Sequence, residues 1–388
     1  MPHWWSRLLG GRSRTPSETK MAGSQSLFAL SPLGTGPVTR KGFVALANEG
    51  FAKNPVVYRC VRLVAESAAR VPLEVKDGAR VLTDHPVLDL IARPNRRQTG
   101  AALLESVYSY LQTSGNAYLD AALVDGAVKG LYGLRPDRMA VVAGGDGWPV
   151  GFSYTANGRT MKLMLDTKPI PRVLHLSLFH PLDDHYGFAP VEAAQASLET
   201  HNAASRWNKA LLENAARPSG ALVYSAAAGN LTEDQYQRLK AELEEGFAGA
   251  VNAGRPMVLE GGLDWKSIAL SPRDMDFLEA KNAAAREIAL AFGVPPMLLG
   301  IPRDNTYANY AEASRALWRQ TVIPLVRRVT AELSAWLAPA FEGAELVPDF
   351  DGIEELAAER AAEWQRVGDA GFLSDDEKRE LLGFGRDR

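Results

Sequence analysis

The longest periodic pattern of apolar positions lies in the second half of the chain, over residues 307–338. Apolar or small residues recur there at Tyr307, Tyr310, Ser314, Leu317, Thr321, Leu325, Val329, Leu333 and Leu337. This spacing predicts one helix, and about 30 residues rising ~1.5 Å each would make a rod of about 45 Å. Pro324 lacks an N–H and its ring crowds the carbonyl of Gln320, which predicts a kink. A long kinked helix suits a wall shared between neighbouring subunits better than the core of a monomer.

Two more helices are predicted before this rod. The first runs over Pro190–Asn214, with apolar or small residues at helical spacing. The second begins at a capping box, Ser271–Asp274, and ends at Gly293, which is followed by a double proline. These two helices flank the segment between them in the sequence.

The segment between these helices has the pattern of a self-contained α/β insertion. A capping box at Thr232–Gln235 starts a helix, and strand-like runs at 221–224 and 256–270 flank it. After the second helix, residues 300–306 contain few apolar side chains and are bounded by turn-forming residues. Such a loop is either a plain connection or a place where function is concentrated.

The first half of the chain combines capped helices with short alternating strands. Asn54-Pro55 starts one helix and Thr99 caps another. Strand-like runs follow at 117–124, 130–134, 139–142, 151–154, 161–165 and 173–178. Turn pairs such as Asp125-Gly126 and Asn157-Gly158 separate them. We therefore predict an α+β fold class with mostly antiparallel strands.

Composition places the chain among ordinary globular proteins. It has 388 residues, of which 46% are apolar and 23% charged. No apolar run reaches about 18 residues, so no membrane span is expected, and no signal peptide is recognisable. Cys60 is the only cysteine. It excludes an intrachain disulfide, fits a reducing cytosol, and is interpreted as a buried small side chain rather than a reactive thiol.

Charge argues against tight DNA binding by the chain as a whole. The net charge is −3, whereas a protein that grips duplex DNA usually carries a basic face. A surface along which DNA slides remains compatible with this average. Residues 1–44 are rich in basic, Ser, Gly and Pro residues, which predicts a flexible basic tail, either a disordered terminus or a functional arm.

Motifs for nucleotide or nucleophilic chemistry are missing from the sequence. We find no phosphate-binding P-loop, no dinucleotide-binding glycine pattern and no Gly-x-Ser-x-Gly elbow. One metal-like group remains, made of His175, His180, Asp183, Asp184 and His185. Its spacing matches no established ligand pattern. We therefore expect no enzyme activity, no catalytic residue, no metal and no cofactor, and keep a metal-dependent hydrolase built on the three histidines as the alternative.

A resemblance enters at residues 291–324. Ala291-Phe292-Gly293-Val294-Pro295-Pro296-Met297-Leu298-Leu299-Gly300, Thr306-Tyr307-Ala308-Asn309 and Thr321-Val322-Ile323-Pro324 resemble the Hong Kong (HK)-type family of tailed-phage portal proteins. Further matches are Asn54–Cys60, Gly115–Tyr118, Leu134–Arg138, Gly187–Pro190, Arg217–Gly220 and Leu259–Leu263. The resemblance covers about residues 45–350 and is weak in the tail and the last 38 residues. The chain is short for this family, which leaves open the portal of a gene transfer agent.

The resemblance implies a subunit with an α+β wing, a helical stem, an inserted clip, a long kinked helix and a small helical crown. The implied segments are a tail at 1–44, a wing at 45–188 rejoined by 339–352, a stem helix at 189–216, a clip at 217–268, a second stem helix at 269–293, a tunnel loop at 294–306, the kinked helix at 307–338 and a crown at 353–388. The implied sites are Arg303, Asp304, Asn305, Thr306 and Tyr307 in the DNA tunnel, Pro324 at the kink, and Glu233, Arg238, Glu242 and Glu245 as docking residues of the clip.

The resemblance also implies the partners and the place of action. It implies a ring, usually of twelve copies, at one capsid vertex of a virion or virus-like particle that is assembled in the host bacterial cytoplasm. Double-stranded DNA passes through without sequence preference. The terminase large subunit, a head–tail adaptor and the major capsid protein are the implied partners, and no membrane is involved. Within the tunnel, ion pairs of Arg303, Arg315 and Arg319 with acidic neighbours are favoured over phosphate contacts. A generic helical adaptor protein is the third hypothesis, and a mass measurement would separate it from a ring.

Overall fold

The computed structural model describes residues 40–78, 80–213, 220–224, 232–247, 263–267, 277–301, 307–341 and 345–382. Its helices are α1 (Arg40–Leu46), α2 (Pro55–Ala69), α3 (Pro86–Ala92), α4 (Gly100–Ser114), α5 (Pro190–Ala193), α6 (Gln195–Glu213), α7 (Glu233–Phe247), α8 (Phe277–Ala291), α9 (Tyr307–Leu317), α10 (Ile323–Leu337), α11 (Ala357–Gly368) and α12 (Asp375–Leu381). Its strands are β1 (Leu73–Asp77), β2 (Arg80–Leu82), β3 (Asn116–Val124), β4 (Ala127–Leu134), β5 (Met139–Ala143), β6 (Pro149–Ala156), β7 (Arg159–Met164), β8 (Val173–Ser177), β9 (Gly220–Tyr224), β10 (Leu263–Ser267) and β11 (Glu345–Pro348). This mixture confirms the predicted α+β class.

All the strand pairs are antiparallel and form small sheets. The strand orders are β11-β1-β2, β4-β3-β8, β5-β6-β7 and β10-β9. In the first sheet Leu73 lies opposite Pro348 and Lys76 opposite Glu345. Residues 345–348 therefore return to a strand made near the beginning of the chain, as the resemblance implied.

The local sequence explains where the principal helices begin and end. The Asn54 carboxamide oxygen accepts hydrogen bonds from the N–H groups of Val56 and Val57, so it caps α2. The Thr99 hydroxyl caps α4, and Gly115, in the left-handed conformation, ends it. The predicted capping box of α7 is present, because Thr232 and Gln235 bond each other's backbone N–H.

One main core joins the first-half helices to the long C-terminal helices. Buried apolar side chains of α2 and α4 pack with those of β3, α8 and α10, and Val57, Leu111, Leu119, Ile288 and Val326 are representative members. A smaller cluster lies on the third sheet and consists of Tyr118, Met139, Phe152, Leu163 and Val173. Because α8 and α10 share the main core with α2, α4 and β3, both helices are anchored to the first half of the chain.

Several elements of the structure differ from the predictions. Residues 40–46 form α1, and a π-helical segment, Ala47–Ala52, continues it, so the predicted flexible tail of 1–44 is wrong for its last residues. Burial of Leu46 explains why this short helix forms. The predicted helix Pro190–Asn214 is interrupted at Ala194, between α5 and α6. α3 was not predicted, although Pro86 follows its capping residue His85.

Several sequence predictions lie outside the described residues. They are the tail up to residue 39, the capping box at Ser271–Asp274, and most of the second strand-like run of the clip. In the part of the chain that is described, no helix has both the length and the apolar character needed to span a membrane.

Candidate channel-lining site

The end of α8 is fixed by one glycine and one threonine. Gly293 has a φ of +64°, which an L side chain rarely adopts. Its carbonyl accepts a hydrogen bond of 2.7 Å from the Thr321 hydroxyl, and the Val294 N–H returns to the Ala289 carbonyl at 2.9 Å. The chain therefore leaves α8 in a defined direction, set against the long helix.

From Gly293 the chain reaches the predicted tunnel loop through a short 3₁₀ turn. This turn spans Pro296–Leu299 and ends at Gly300, which has a φ of +71°. Ile301 is buried, and α9 begins at Tyr307. The loop is thus held between a buried residue and a helix. Arg303, Asp304, Asn305 and Thr306 lie outside the described residues, as does the Tyr307 side chain, so their place in the tunnel stays a prediction.

The long helix is interrupted by a widened turn directly before Pro324. Between α9 and α10, residues Trp318–Val322 form a π-helical segment, and the Ile323 N–H bonds the Trp318 carbonyl five residues earlier. Pro324 lies in the first turn of α10, where a missing N–H is tolerated. A π turn inserts one residue into the helical repeat and re-aims the helical turns after it. The helix is therefore interrupted just before Pro324, while the predicted kink stays a prediction.

The π segment packs near the end of α2 and the start of the C-terminal segment. Trp318 and Val322 are buried, and the guanidinium carbon of Arg70 lies 4.8 Å from the Trp318 ring centroid. Arg70 also pairs with Glu355, at the start of the C-terminal segment. These contacts connect α2, the interrupted helix and the segment after residue 353. Sequence reasoning missed this cluster, because nothing in the pattern distinguishes Trp318 from other apolar positions.

The arginines of α9 and the π segment are paired with carboxylates. Arg315 pairs with Glu312, as expected, and Arg319 lies 3.5 Å from Glu359 of α11, which was not foreseen. Exposed ion pairs contribute only about 0–1 kcal/mol each, but they neutralise cations that would otherwise hold phosphates. This face therefore offers weaker attraction to DNA than its arginine content suggests.

A polar network links α2 to α6, the predicted stem helix. The Asn54 amide nitrogen donates to Asn202 Oδ1 at 2.9 Å and lies 3.0 Å from His201 Nδ1. The Asn202 amide donates to the Glu49 carbonyl at 2.9 Å. Since Asn54 Oδ1 already caps α2, its nitrogen must face His201, and Nδ1 of that ring must accept. His201 is therefore neutral, and burial together with nearby Lys281 lowers its pKa.

The predicted clip elements are formed, as far as they are described. Strands β9 and β10 pair antiparallel from Gly220↔Ser267 to Tyr224↔Leu263. On α7, Glu233 and Arg238 are exposed, whereas the side chains of Glu242 and Glu245 lie outside the described residues. Docking by these four side chains stays a prediction.

The three histidines of the alternative hypothesis do not converge. The His175 Nε2 donates to Asn116 Oδ1 at 2.9 Å, and its ring stacks on Tyr118. The His180 Nδ1 accepts the Leu182 N–H, and Asp183 Oδ1 accepts two backbone N–H groups. Throughout the described ranges, no three His, Cys, Asp or Glu side chains could hold a metal ion together. The metal-dependent hydrolase therefore has no structural support.

Burial explains the pKa shifts of two side chains in the first half of the chain. It raises the pKa of the Cys60 thiol to about 12, consistent with the interpretation of Cys60 as a core residue. It lowers the pKa of His175 to about 4, with a smaller contribution from the charge of His185. Both groups are neutral at pH 7 and serve packing and hydrogen bonding.

Comparison with known families gives one extended match. The family model described as phage portal protein matches residues 55–383. The portal protein of Enterobacteria phage HK97 is 27% identical over 399 residues, which cover 97% of this chain and 88% of that protein. An uncharacterized protein of Rickettsia bellii (strain RML369-C) is 39% identical over 366 residues, covering 93% of this chain and 94% of that one.

Two solved structures show the same architecture at higher identity. A chain from the neck of an empty gene transfer agent (GTA) particle, computed with C6 symmetry, is 53% identical with a TM-score of 0.72. A chain from the neck of a native GTA particle, computed with C12 symmetry, is 52% identical with a TM-score of 0.70. Both alignments cover 89% of this chain and 94% of the other.

Proposed function

The chain belongs to the phage portal protein family, and from this premise we propose that twelve copies of it close into a ring around a channel for double-stranded DNA. The observation that carries the proposal is the 52% identity with a chain in a particle neck computed with C12 symmetry. At that identity the surfaces that set the rotation between neighbours are expected to be kept. Identical subunits joined head to tail close into a ring when their rotation divides the full turn.

The interrupted helix supports a channel wall in this proposal. α9, the π turn and α10 place a rod beside the predicted tunnel loop, and buried Trp318 fixes the rod to the wing. Arg315 and Arg319 are already neutralised by carboxylates. Each phosphate contact adds a salt-dependent attraction, so paired arginines let DNA of any sequence pass instead of arresting it.

The ring is proposed to act in packaging and ejection of DNA without chemistry of its own. The clip, with Glu233, Arg238, Glu242 and Glu245, would dock the terminase large subunit and later a head–tail adaptor. The wing would contact the major capsid protein at one vertex of a virion or virus-like particle, assembled in the host bacterial cytoplasm. The identity of 53% with a GTA chain, against 27% with the HK97 portal, favours a gene transfer agent as the particle.

Mass and shape test the ring directly. The purified chain is expected to assemble into particles of twelve times the 42.1 kDa subunit mass, with an axial hole in negative-stain images. Mass photometry across a range of protein concentrations gives the subunit number. Two results together would refute the proposal: the purified chain stays monomeric at high concentration, and particles made after deletion of its gene still fill with DNA.

A further inference from the structure

A short loop between α3 and α4 presents three arginines to solvent. The loop reads Arg93-Pro94-Asn95-Arg96-Arg97-Gln98, and we call residues 93–98 the arginine loop. The side chains of Arg93, Arg96 and Arg97 are exposed, whereas Pro94 is buried. The loop is distant in sequence from the predicted tunnel loop and belongs to a different part of the fold.

The backbone of the arginine loop is held in place by one asparagine. Asn95 Oδ1 accepts the N–H groups of Arg97 and Gln98 at 2.9 and 3.0 Å, and its amide donates to the Leu131 carbonyl at 2.9 Å. The Leu131 N–H donates to the Pro94 carbonyl at 2.8 Å. A Cβ added to Gly130 would lie 3.0 Å from that carbonyl oxygen. The loop is thus fastened to β4, and the three arginines project from a defined backbone.

The charges of the arginine loop are not neutralised within the described part of the chain. Eight described arginines outside the loop have carboxylate partners, namely Arg62, Arg70, Arg135, Arg172, Arg315, Arg319, Arg328 and Arg366. Others, such as Arg59 and Arg159, have none among the described residues. Arg93, Arg96 and Arg97 form no ion pair with a described residue. Unpaired like charges held close together repel one another, so this arrangement gains from an external anion.

We propose that the arginine loop binds the phosphate backbone of duplex DNA, at a site other than the predicted tunnel loop. Guanidinium groups bind phosphate oxygens through two parallel N–H donors. A loop has no helix or ribbon to insert into a groove, so the contact carries no base specificity. The proposal rests on the proposed function only in that DNA must come near the ring, and it adds a contact beyond the predicted tunnel loop.

The composition around the loop favours a nucleic-acid partner over a protein partner. The fully buried centres of protein–protein interfaces are more apolar than the rest of the surface, although Arg and Tyr are enriched there. Exposed Tyr132 lies near the loop, since the Cβ position of Gly130 is 3.0 Å from the Pro94 carbonyl oxygen and 3.4 Å from the Tyr132 ring. Tyrosine commonly contacts phosphates. Large exposed aliphatic side chains are not found between residues 92 and 99.

A salt titration of DNA binding tests the proposal. The double substitution Arg96→Gln and Arg97→Gln removes two charges and keeps the Asn95 hydrogen bonds, since these use backbone N–H groups. Binding of a fluorescent, random-sequence duplex to the full chain would be followed by anisotropy at about 50 to 200 mM salt. The plot of log affinity against log salt is expected to become shallower by about 1 to 2, with affinity about tenfold weaker at the lowest salt.

Matched controls separate this contact from general electrostatics. Arg159→Gln with Lys162→Gln removes two exposed positive charges from β7, and its slope and affinity should match the wild type. Asn95→Ala leaves every charge in place but frees the loop, so affinity should fall while the slope stays close to that of the wild type. An unchanged slope in the arginine double variant overturns the proposal, as does an equal loss in the β7 control.

Two further measurements tell a DNA partner from a protein partner, and the DNA-binding proposal from the ring proposal. If the arginine double variant keeps its DNA affinity but loses binding to purified major capsid protein, the loop is a protein-docking surface and the DNA proposal is wrong. The oligomer mass of each variant is measured first. A monomeric wild type would contradict the ring proposal, while the titration would still decide whether the arginine loop holds DNA.

Discussion

Thr321, in the π segment, donates a hydrogen bond of 2.7 Å to the carbonyl of Gly293, the residue that ends α8. A Cβ added at Gly293 would lie 2.5 Å from that same hydroxyl oxygen, closer than such contacts occur. The direction in which the chain leaves α8 is therefore coupled to the register of the long helix. The predicted tunnel loop lies between these two points.

Gly293→Ala should destabilise the protein through both strain and collision. The left-handed backbone alone costs an L residue about 1–2 kcal/mol, and displacing Thr321 adds to that cost. Gly300→Ala is the control, because Gly300 has a similar φ of +71° with nothing within 4 Å of its Cβ position. Urea unfolding at fixed protein concentration should show a larger loss for Gly293→Ala. Equal losses would mean that the contact with Thr321 contributes nothing.

Pro324→Ala should leave the subunit folded but alter the long helix. Alanine restores an N–H and removes the ring that crowds the Gln320 carbonyl, so a regular α-helix through residues 318–322 becomes accessible. We expect rings with reduced DNA content per particle, measured by quantifying protected DNA. Pro339→Ala, in an exposed 3₁₀ turn after α10, is the control. Normal rings that package DNA at normal yield would show that the interruption is incidental.

Asn54→Asp tests the network between α2 and α6. Aspartate caps helices as well as asparagine does, but its second oxygen would face His201 Nδ1 and Asn202 Oδ1, which both accept. The variant should lose about 1–3 kcal/mol of stability at pH 8. Toward pH 5 the difference in stability between the variant and the wild type should become smaller, because protonated His201 can donate a hydrogen bond to the new carboxylate.

Asn54→Ser is the comparison for this experiment. Serine keeps a capping oxygen and removes the amide donor without adding charge, so its stability deficit should not narrow toward pH 5. A parallel pH dependence of the two variants, followed by urea midpoints, would argue against the assigned acceptor role of His201.

Because of His175, we expect the free energy of unfolding to fall in acid. The folded pKa of His175, about 4, lies below the ordinary value of 6.5, so the unfolded chain binds more protons between these values. The contribution of neutral His175 to the free energy of unfolding is complete above pH 6.5. It falls by roughly 1–3 kcal/mol as the pH drops toward 4. His175→Gln keeps an N–H donor for Asn116 and removes the titration, so its stability should vary less with pH. An equal pH dependence would exclude this origin.

Local signals made most of the first-half elements predictable. The capping side chains of Asn54 and Thr99, and the turns at Asp125-Gly126 and Asn157-Gly158, act within a few residues, and the structure has each of them. The same is true of the Thr232–Gln235 capping box. Such signals depend on backbone hydrogen bonds that form with neighbours along the chain.

Contacts between distant residues were not predictable from the pattern. Arg319 was expected to meet Asp304 or Glu312 but pairs with Glu359, 40 residues later. The roles of His201 and of Asn95 depend on partners in other elements. The family resemblance supplied the segment order, whereas the histidine cluster looked metal-like in sequence because spacing alone does not show where each ring points.

The pairing of β1 with β11 has a consequence for synthesis of the chain. Leu73–Lys76 meet their partners only when residues 345–348 have left the ribosome, so one edge of β1 stays open during most of translation. Contacts that span such a separation form slowly. In the proposed ring, a subunit would therefore become competent to join its neighbours only at the end of translation, which would delay ring closure until complete chains are present.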